Sequence, residues 1–384
     1  MCGIAGFCNF KEDFEENTDY WNFRLEKMRA VLAHRGNDAR GRYLKKHIGL
    51  SHSRLAIRDI LCGDQPMTRT HNGYEYTICY NGEIYNTDEL IPELSENGFV
   101  CSTTSDTEVI LYAYIHWGAD FVNRLNGIFA FAIWDAAKSR LLLYRDRVGV
   151  KPLFYAIRGD SLVFGSEPKA CFAHPAVKPE LDKQGLQELL AIGPAHTSGL
   201  SLFKDLFEVL PGHFMIYSQN GLHDETYWEL TSREHTESYQ DTVAHTRFLV
   251  EDAIKRQMVS DVPVCTFLSG GIDSSIVTAI AANYMNTRGK TLNTFSFDFK
   301  DNDRYFKANA FQPERDLPYV NRMLEEYETA HSYLECDENS LFKALFAAVD
   351  AKDMPGMTDV DSSLLYFCSL SLIHISEPTR HAQI

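Results

Sequence analysis

The chain contains 384 residues, of which 45% are hydrophobic, and its formal net charge at pH 7 is −16. This length favours two domains, and the hydrophobic content excludes an intrinsically disordered chain. The acidic balance provides no basic surface for nucleic acid, and no apolar run is long enough to cross a membrane. The N-terminus lacks the basic flank and apolar core of a secretory signal. We therefore expect a cytoplasmic protein that binds neither nucleic acid nor membrane.

Nine cysteines are scattered along the chain, at positions 2, 8, 62, 79, 101, 171, 265, 336 and 368. They form no CxxC pair and no Cys/His group at the spacing of a zinc site. This pattern is typical of reduced, mostly buried thiols. Only Cys2 has a position that indicates chemistry.

The first half of the chain mixes short strands with helices. Aromatic and aliphatic runs bounded by Gly, Asn and Asp predict strands, and apolar residues at helical spacing predict helices. Several strands with two or more helices favour a layered α+β domain. The predicted strands are 48–57, 76–80, 129–134 and 141–144, and the predicted helices are 20–32 and 106–117.

The pattern changes after residue 228. A strand is predicted over 207–217, and the polar stretch 231–240 is a candidate linker. The next elements are predicted in the order helix 242–259, strand 262–268, helix 274–284 and strand 291–299. A strand, a helix and a further strand in this order indicate a parallel βαβ unit.

Cys2 becomes the N-terminal residue if Met1 is removed. Such a cysteine carries a thiol and an α-amine on one residue, and the unperturbed pKa of an α-amine is about 7.7–8.0. The amine can therefore accept the proton of its own thiol and activate it as a nucleophile.

Three later segments offer what a thiol nucleophile needs to hydrolyse a side-chain amide. Arg54 is suited to grip an α-carboxylate, and Asn81 with Gly82, placed at a predicted strand end, can direct an amide and an N–H at one oxygen. Asp106 stands at a helix start, where it either caps the helix or binds an ammonium group. Each also has a plain alternative, since Asn-Gly is common in hairpin turns and arginine is common at the surface.

Six motifs together resemble a class II glutamine amidotransferase domain. They are 2–7 (CGIAGF), 34–38 (HRGND), 54–57 (RLAI), 80–86 (YNGEIYN), Ser105-Asp106 and 145–155 (RDRVGVKPLFY). The resemblance spans about residues 2–220 and implies an N-terminal-nucleophile fold, with two antiparallel sheets between helical layers. One departure is Asn37, where the family usually has proline; we expect it to alter a loop and not the chemistry.

The resemblance also implies the roles of single residues. Cys2 is the implied nucleophile, and Asn81 and Gly82 form the implied oxyanion hole. Arg54 and Asp106 are implied to bind the α-carboxylate and the α-amine of glutamine. The implied glutamine site consists of Arg54, Leu55, Ala56, Ile57, Arg58, Asn81, Gly82, Glu83 and Asp106.

A second motif follows the linker. The predicted strand 262–268 runs directly into Ser269–Ser275 (SGGIDSS) and then into a helix. A glycine-rich turn at a helix N-terminus presents N–H groups to phosphate oxygens, although an ordinary turn with a serine cap is the alternative. The motif is neither a Walker A loop nor a Rossmann fingerprint.

This loop resembles the PP-loop of ATP pyrophosphatases, which cleave between the α- and β-phosphates. Combined with the first resemblance, it points to the glutamine-hydrolysing asparagine synthetase family, with further support from 295–297 and 353–363. That family implies ATP as co-substrate, glutamine and aspartate as substrates, and Mg²⁺. The implied ATP-site residues are Leu268, Ser269, Gly270, Gly271, Asp273, Ser274, Ser275 and Phe297, with Asp273 as the candidate metal ligand.

From about residue 369 the sequence no longer resembles the family. We therefore expect an α/β PP-loop domain over 240–368 that is incomplete, a tail over 369–384 that is not native, and a chain that retains only the glutaminase. Other readings stay open: an amidotransferase that makes an amidosugar or phosphoribosylamine, another PP-loop amide ligase such as a β-lactam-forming enzyme, or a non-catalytic remnant. The oligomeric state also stays open, with a homodimer as one candidate.

Overall fold

The computed structural model describes residues 1–193, 196–310, 313–355, 362–367 and 382–383. The described chain divides into two compact units. The first comprises Met1–Ser232 together with Lys352–Pro355, and the second comprises Arg233–Ala351 and the described residues after 355. No helix of the described residues is long and apolar enough to cross a membrane.

The first unit is built mainly of antiparallel strands. Its strands are β1 (Gly3–Asn9), β2 (Ala39–Lys45), β3 (Ile48–Arg54), β4 (Met67–His71), β5 (Tyr74–Ile84), β6 (Gly127–Asp135), β7 (Arg140–Arg145), β8 (Phe154–Arg158), β9 (Ser161–Gly165), β10 (Phe207–Glu208), β11 (His213–Ser218) and β12 (Gly221–Thr226). Its helices are α1 (Thr18–Ala30), α2 (Thr87–Glu96), α3 (Asp106–Trp117), α4 (Pro168–Phe172) and α5 (Lys183–Gln187). Further helical turns lie at Phe14–Asn17, Ala33–Arg35, Ala119–Arg124 and Glu188–Ile192.

These strands form two six-stranded sheets. One has the order β10-β8-β9-β1-β3-β2 and the other the order β12-β11-β7-β6-β5-β4. Two pairings fix the strands that carry the predicted site: β1 opposes β3 with Ala5 facing Ser51, and β5 opposes β6 with Asn81 facing Ala130.

The two sheets pack face to face and each carries helices on its outer face. Ile4 and Leu50 of the first sheet share a core with Ala132 and Leu143 of the second. A second core lies between the outer face of β5–β7 and helices α2 and α3, and a third lies between the outer face of β1 and β9 and helices α1 and α4. The resulting order of helix, sheet, sheet and helix agrees with the four layers that the resemblance implies.

Helix α3 starts in a way that matters for the site. Ser105 is its N-cap, and the Ser105 hydroxyl accepts a hydrogen bond from the backbone N–H of Thr107. Because Ser105 supplies the cap, the Asp106 carboxylate is not needed for capping. The structure thus decides against Asp106 as the helix cap.

The second unit contains a parallel sheet with the order β15-β14-β13-β16. Its elements are α6 (Tyr239–Gln257), β13 (Val264–Phe267), α7 (Ile272–Asn286), β14 (Leu292–Phe299), α8 (Asn302–Tyr305), α9 (Leu317–Glu326), β15 (Thr329–Cys336), α10 (Glu338–Lys352) and β16 (Ala382–Gln383). β13, α7 and β14 form the predicted parallel βαβ unit. The predicted linker 231–240 has no regular structure before α6 begins at Tyr239.

Two predictions about strands differ from the structure. The strand predicted over 207–217 divides into β10 and β11, because Pro211 lacks an N–H and Gly212 has a positive φ of 72°. The Asn81-Gly82 pair lies inside β5, which continues to Ile84, and not at a strand end.

Candidate active site

The predicted glutamine-site residues converge on one cavity of the first unit. The start of β1, the segment after β3, the second half of β5 and the start of α3 form its walls. Ala56 and Asn81 do not line it but are buried beside it in the chain. The lining residues are Cys2, Arg54, Leu55, Ile57, Arg58, Gly63, Gln65, Tyr80, Gly82, Glu83, Ser105, Asp106 and Thr107.

The Cys2 thiol is held against the backbone of Leu55. Its Sγ lies 3.5 Å from the Leu55 carbonyl oxygen and accepts from the Leu55 N–H at 3.4 Å. Burial raises the pKa of the Cys2 thiol, and the Leu55 N–H opposes that shift. The thiol is therefore protonated at neutral pH and needs a base before it can attack a substrate.

The Cys2 backbone is anchored by Arg35, a residue to which the sequence analysis assigned no role. Arg35 Nε donates to the Cys2 carbonyl oxygen at 2.9 Å, and Arg35 Nη1 donates to Glu167 Oε1 at 2.7 Å. Glu167 also receives His34 Nε2 at 3.0 Å and the Lys169 ammonium at 2.6 Å. Arg35 stood in the quoted 34–38 motif, whereas no sequence signal marked Glu167.

Arg54, the predicted carboxylate binder, is already engaged by the segment that follows it. Nη1 donates to the Ile60 carbonyl oxygen at 3.1 Å and to Asp64 Oδ1 at 2.8 Å. Nη2 donates to the carbonyl oxygens of Arg58 and Asp59. The Arg54 side chain is 5% exposed, while the Asp64 side chain is 73% exposed. Of these acceptors, the Asp64 carboxylate is the one that a substrate carboxylate can replace.

The predicted oxyanion-hole residues lie on β5. Asn81 is buried, and its Nδ2 finds no hydrogen-bond partner among the described residues. A buried donor without a partner is costly, which favours a ligand oxygen as its partner. At Gly82, an added Cβ would lie 2.3 Å from the Ile128 carbonyl oxygen, so β6 approaches too closely for any side chain.

Asp106 and Glu83 form an acidic pair in the cavity. Asp106 Oδ2 accepts from the Tyr80 hydroxyl at 2.9 Å and from the Ile84 N–H at 3.0 Å, and Arg58 Nη1 lies 3.9 Å away. Burial and the Asp106 charge raise the pKa of Glu83 to about 8, and burial also raises the pKa of Asp106. Two carboxylates that resist ionising together favour a cation between them.

Two amines complete the electrostatics near Cys2. Burial lowers the pKa of the Met1 α-amine to about 5. Burial and the Arg35 charge lower the pKa of the Lys151 ammonium. An amine at this end of the chain is therefore unprotonated at neutral pH and able to accept a proton.

The second predicted site is the loop between β13 and α7. Ser269 and Ser274 contact each other through their hydroxyls at 3.0 Å, and the Ser274 hydroxyl donates to the Gly271 carbonyl oxygen at 3.1 Å. Gly270 has a φ of +81°, where an added Cβ would also lie 2.8 Å from the Asp316 carbonyl oxygen. The loop thus has the backbone shape that a glycine permits and other residues resist.

A cavity of the second unit opens beside this loop. Leu268, Ser269 and Phe297 line it, whereas Gly270, Gly271, Asp273, Ser274 and Ser275 belong to the adjoining turn and to the start of α7. The sequence analysis did not name Asp298, which also lines the cavity and accepts from Asn302 Nδ2 at 2.5 Å and from the Tyr333 hydroxyl at 3.1 Å.

Comparison with known proteins gives two family matches. Residues 1–228 match the model of the glutamine amidotransferase domain, and residues 245–372 match the model of asparagine synthase. The first model covers more than half of the chain, and the two together agree with the two units of the structure.

Curated relatives agree with these matches. The chain is 47% identical over 369 residues to asparagine synthetase [glutamine-hydrolyzing] 3 of Bacillus subtilis, a match that covers 96% of the chain and 59% of that protein. It is 34% identical over 301 residues to asparagine synthetase [glutamine-hydrolyzing] 1 of the same organism, a match that covers 78% of the chain and 46% of that protein. It is 32% identical over 360 residues to a putative asparagine synthetase of Methanocaldococcus jannaschii, a match that covers 87% of the chain and 64% of that protein.

The chain thus spans less than two thirds of the length of each of these relatives. The resemblance inferred from the sequence is confirmed by both family models. The chain belongs to the glutamine amidotransferase domain family, and its second part matches the asparagine synthase family.

Proposed function

We propose that the first unit hydrolyses glutamine at Cys2, and that the released ammonia serves an ATP-dependent amidation of aspartate by the second. The observation that carries the proposal is the cavity itself. It joins a thiol, an acidic pair and a buried arginine, and the buried Asn81 amide without a protein partner lies beside it in β5. These are the groups that amide hydrolysis through a thioester requires.

The nucleophile in this proposal is Cys2 after removal of Met1. The raised pKa of the Cys2 thiol means that a base must take its proton. The new α-amine belongs to the same residue as the thiol and is the candidate base. Burial lowers the pKa of the Met1 amine, and we expect burial to act in the same direction on the Cys2 amine once Met1 is removed. Arg35 fixes the Cys2 carbonyl and with it the direction of the amine.

Substrate binding uses both ends of the glutamine main chain. Its α-carboxylate binds Arg54 in place of Asp64, and its α-ammonium binds between Asp106 and Glu83. Leu55, Ala56, Ile57 and Arg58 form the neighbouring wall. An ammonium beside Glu83 stabilises the ionised carboxylate, so glutamine binding releases a proton from Glu83 below about pH 8.

The reaction then runs in two halves. The Cys2 sulfur attacks the amide carbon, and the carbonyl oxygen takes a negative charge that the Asn81 amide and the Gly82 N–H stabilise. The proton from the thiol passes through the α-amine to the leaving nitrogen, ammonia departs and a thioester remains. Water activated by the same amine adds to the thioester, which releases glutamate and restores the thiol.

For the second unit we propose ATP binding at Ser269–Ser275, with Leu268 and Phe297 beside the nucleotide. The N-terminus of α7 and the loop N–H groups suit the pyrophosphate. Aspartate attacks the α-phosphate through its side-chain carboxylate, pyrophosphate leaves, and ammonia then displaces AMP from the adenylate. The corresponding domains are residues 2–220 and 240–368.

The metal requirement fits this loop only in part. Among the described residues, no group of three or more His, Cys, Asp or Glu side chains is placed to hold a metal ion. Mg²⁺ is commonly bound by one or two carboxylates together with substrate phosphates. We propose Asp273, in the first turn of α7, as that carboxylate. Bound Mg²⁺ would neutralise charge on the pyrophosphate.

The decisive experiment measures glutamate release from glutamine by the purified chain, with mass spectrometry of its N-terminus. We expect activity only in molecules that have lost Met1, and no activity in Cys2→Ala. Cys62→Ser is the matched control, because that thiol is exposed and lies outside the lining of the cavity. Glutamine hydrolysis by Cys2→Ala would contradict the proposal.

The synthetase half is tested separately. Purified chain supplied with ATP, aspartate and ammonium should form AMP and asparagine, independently of Cys2. This result would overturn the expectation from the sequence that the chain retains only the glutaminase. Absence of AMP under these conditions would contradict the proposal for the second unit and leave the glutaminase proposal standing.

A further inference from the structure

Strand β5 extends beyond its neighbour β4, which leaves part of one β5 edge without a strand partner among the described residues. The β4–β5 pairing ends where Met67 opposes Ile78, whereas the pairing with β6 on the other side continues to Ile84. Tyr80 lies on this stretch and is only 2% exposed. Its backbone N–H and C=O are therefore removed from water and need partners of another kind.

Two side chains supply those partners. Gln65 Oε1 accepts the Tyr80 N–H at 2.6 Å, and His52 Nε2 lies 3.1 Å from the Tyr80 carbonyl oxygen. Gln65 lies two residues before Met67, where the β4–β5 pairing ends, so its side chain acts just beyond the last paired strand residue. We call His52 and Gln65 the Tyr80 clamp.

His52 holds this position at an energetic cost. A carbonyl oxygen can only accept, so Nε2 carries the hydrogen and Nδ1 is a bare acceptor. Nδ1 is buried and has no hydrogen-bond partner in the described part of the chain. Burial lowers the pKa of His52 to about 4, so the ring is neutral. An apolar residue would avoid the cost of about 1–3 kcal/mol for an unpaired polar atom, but it would remove the donor to Tyr80.

The same edge continues to the oxyanion hole. Two residues beyond Gly82, the Ile84 N–H is bound by Asp106 and the Ile84 carbonyl oxygen by Arg58. The N–H and C=O of Phe129, which opposes Gly82, are both bound to Asp146. Gly82 and Phe129 are therefore a non-hydrogen-bonded pair of the β5–β6 ladder. In such a pair the backbone groups point away from the partner strand, so the Gly82 N–H points to the open edge of β5. That N–H lies between two fixed points, Tyr80 and Ile84.

We propose that His52 and Gln65 are positioning residues that fix the Tyr80 peptide and thereby aim the Asn81 amide and the Gly82 N–H at the developing oxyanion. This inference rests on the proposed glutaminase. His52 does not line the cavity. Gln65 does, but its Oε1 is occupied by the Tyr80 N–H and its Nε2 donates to the Thr107 hydroxyl at 3.2 Å. We therefore expect the loss of either residue to act mainly on the chemical step and little on substrate binding. A displacement of about 1 Å in such a group can cost on the order of 100-fold in rate.

The test compares three variants in the full chain. His52→Leu removes the donor, Gln65→Met removes the acceptor, and His52→Gln restores an amide N–H near the Nε2 position. We expect kcat for glutamine to fall about 10- to 100-fold in the first two, with KM changed less than twofold, and most of the loss to be recovered in His52→Gln. Gln219→Leu and His71→Leu serve as matched controls, since both residues lie outside the cavity lining.

Two further readouts separate aiming from general damage. Alkylation of Cys2 by iodoacetamide forms no oxyanion, so its rate should be unchanged in His52→Leu. Amide hydrogen exchange at residues 80–82 should be at least tenfold faster than in wild type, and this measurement does not require activity. If His52→Leu does not fold, Gln65→Met carries the same measurements alone.

Unchanged kcat together with unchanged hydrogen exchange in the clamp variants would overturn the proposal. An equal fall in kcat and in the rate of Cys2 alkylation would also overturn it, because it would indicate general damage to the site. A wild-type chain without glutaminase activity would instead contradict the proposed function. In that case accelerated exchange at residues 80–82 still decides whether the clamp fixes this strand.

Discussion

The two candidate sites differ in the sequence distance that their contacts span. At the glutamine site, Leu55 contacts Cys2 across 53 residues, and Arg35, which anchors the Cys2 carbonyl, contacts Glu167 across 132. In the loop of the second unit, Ser269 and Ser274 are five residues apart, and their hydroxyl contact is exposed. The first site thus depends on contacts across the whole domain. The hydrogen bonds within the second loop are local, although Asp316 approaches Gly270 from outside the loop.

This difference has a physical consequence. Buried donors and acceptors that are fixed before substrate arrives need no rearrangement during the reaction, which is the basis of electrostatic catalysis. A glycine-rich loop offers backbone N–H groups that a phosphate can gather without any distant support. Substitutions far from Cys2 should therefore disturb the first site, whereas the second should respond mainly to changes within its own loop.

The largest effect is expected for Asn81→Ala. Loss of the amide should cost about 2.7–4 kcal/mol of transition-state stabilisation, or roughly 10²–10³ in kcat. Its Nδ2 has no partner among the described residues, so the loss should scarcely change the free energy of unfolding. Steady-state kinetics and chemical denaturation measure both, with the exposed Asn123→Ala as control. A kcat loss below threefold would show that the buried Asn81 amide does not stabilise the transition state, and the contrast between the two sites would fail.

Glu167→Gln tests the long-range support of Cys2. Burial alone would raise the pKa of Glu167, but the contacts of His34, Arg35 and Lys169 prevail and lower it to about 2. The ionised carboxylate therefore stabilises the fold above its ordinary pKa of about 4.5, by roughly 3 kcal/mol. That contribution is lost as the pH falls through about 2.

The corresponding measurement is denaturant unfolding of Glu167→Gln and wild type at several pH values. We expect the variant to be less stable at pH 7 and the difference to shrink below pH 4.5. A difference independent of pH would show that the charge of Glu167 is not what supports the site.

The smallest effect is expected for Gly270→Ala in the loop. A residue with a side chain at a positive φ costs about 1–2 kcal/mol, and here the Cβ would also meet the Asp316 carbonyl oxygen. Gly289→Ala is the matched control, because Gly289 has a φ of +68° but no atom within 4 Å of its Cβ position. Thermal unfolding and ATP binding should be affected more in Gly270→Ala, while glutamine hydrolysis stays unchanged in both. Equal losses of stability and of ATP binding in the two variants would show that the approach of Asp316 to Gly270 has no special role.

The same contrast explains what the sequence could and could not predict. Ser269–Ser275 is a contiguous motif between a strand and a helix, so its fold and its position were predictable. Arg54, Gly82 and Asp106 were found through local motifs, and the structure brings them into one cavity with Cys2. Their actual partners were not predictable from local pattern.

Glu167 and Gln65 were missed for a physical reason. Neither stands in a motif of its own, and each acts on the site through a contact with a residue that is distant in the sequence, Glu167 with Arg35 and Gln65 with Tyr80. Asp106 shows a second limit of prediction from sequence, because a residue can be found while its role stays undecided. Its position at a helix start left two roles open, and only the observed Ser105 cap separated them.

The open edge of β5 also bears on how the chain avoids association with itself. An unpaired strand edge is a template for a strand of another molecule. Here the Tyr80 edge is buried, and the Gln65 and His52 side chains occupy its N–H and C=O, so another strand finds no free hydrogen-bonding group there. The residues that we propose to aim the oxyanion hole therefore also guard against aggregation, and refolding yields of the clamp variants should fall as protein concentration rises.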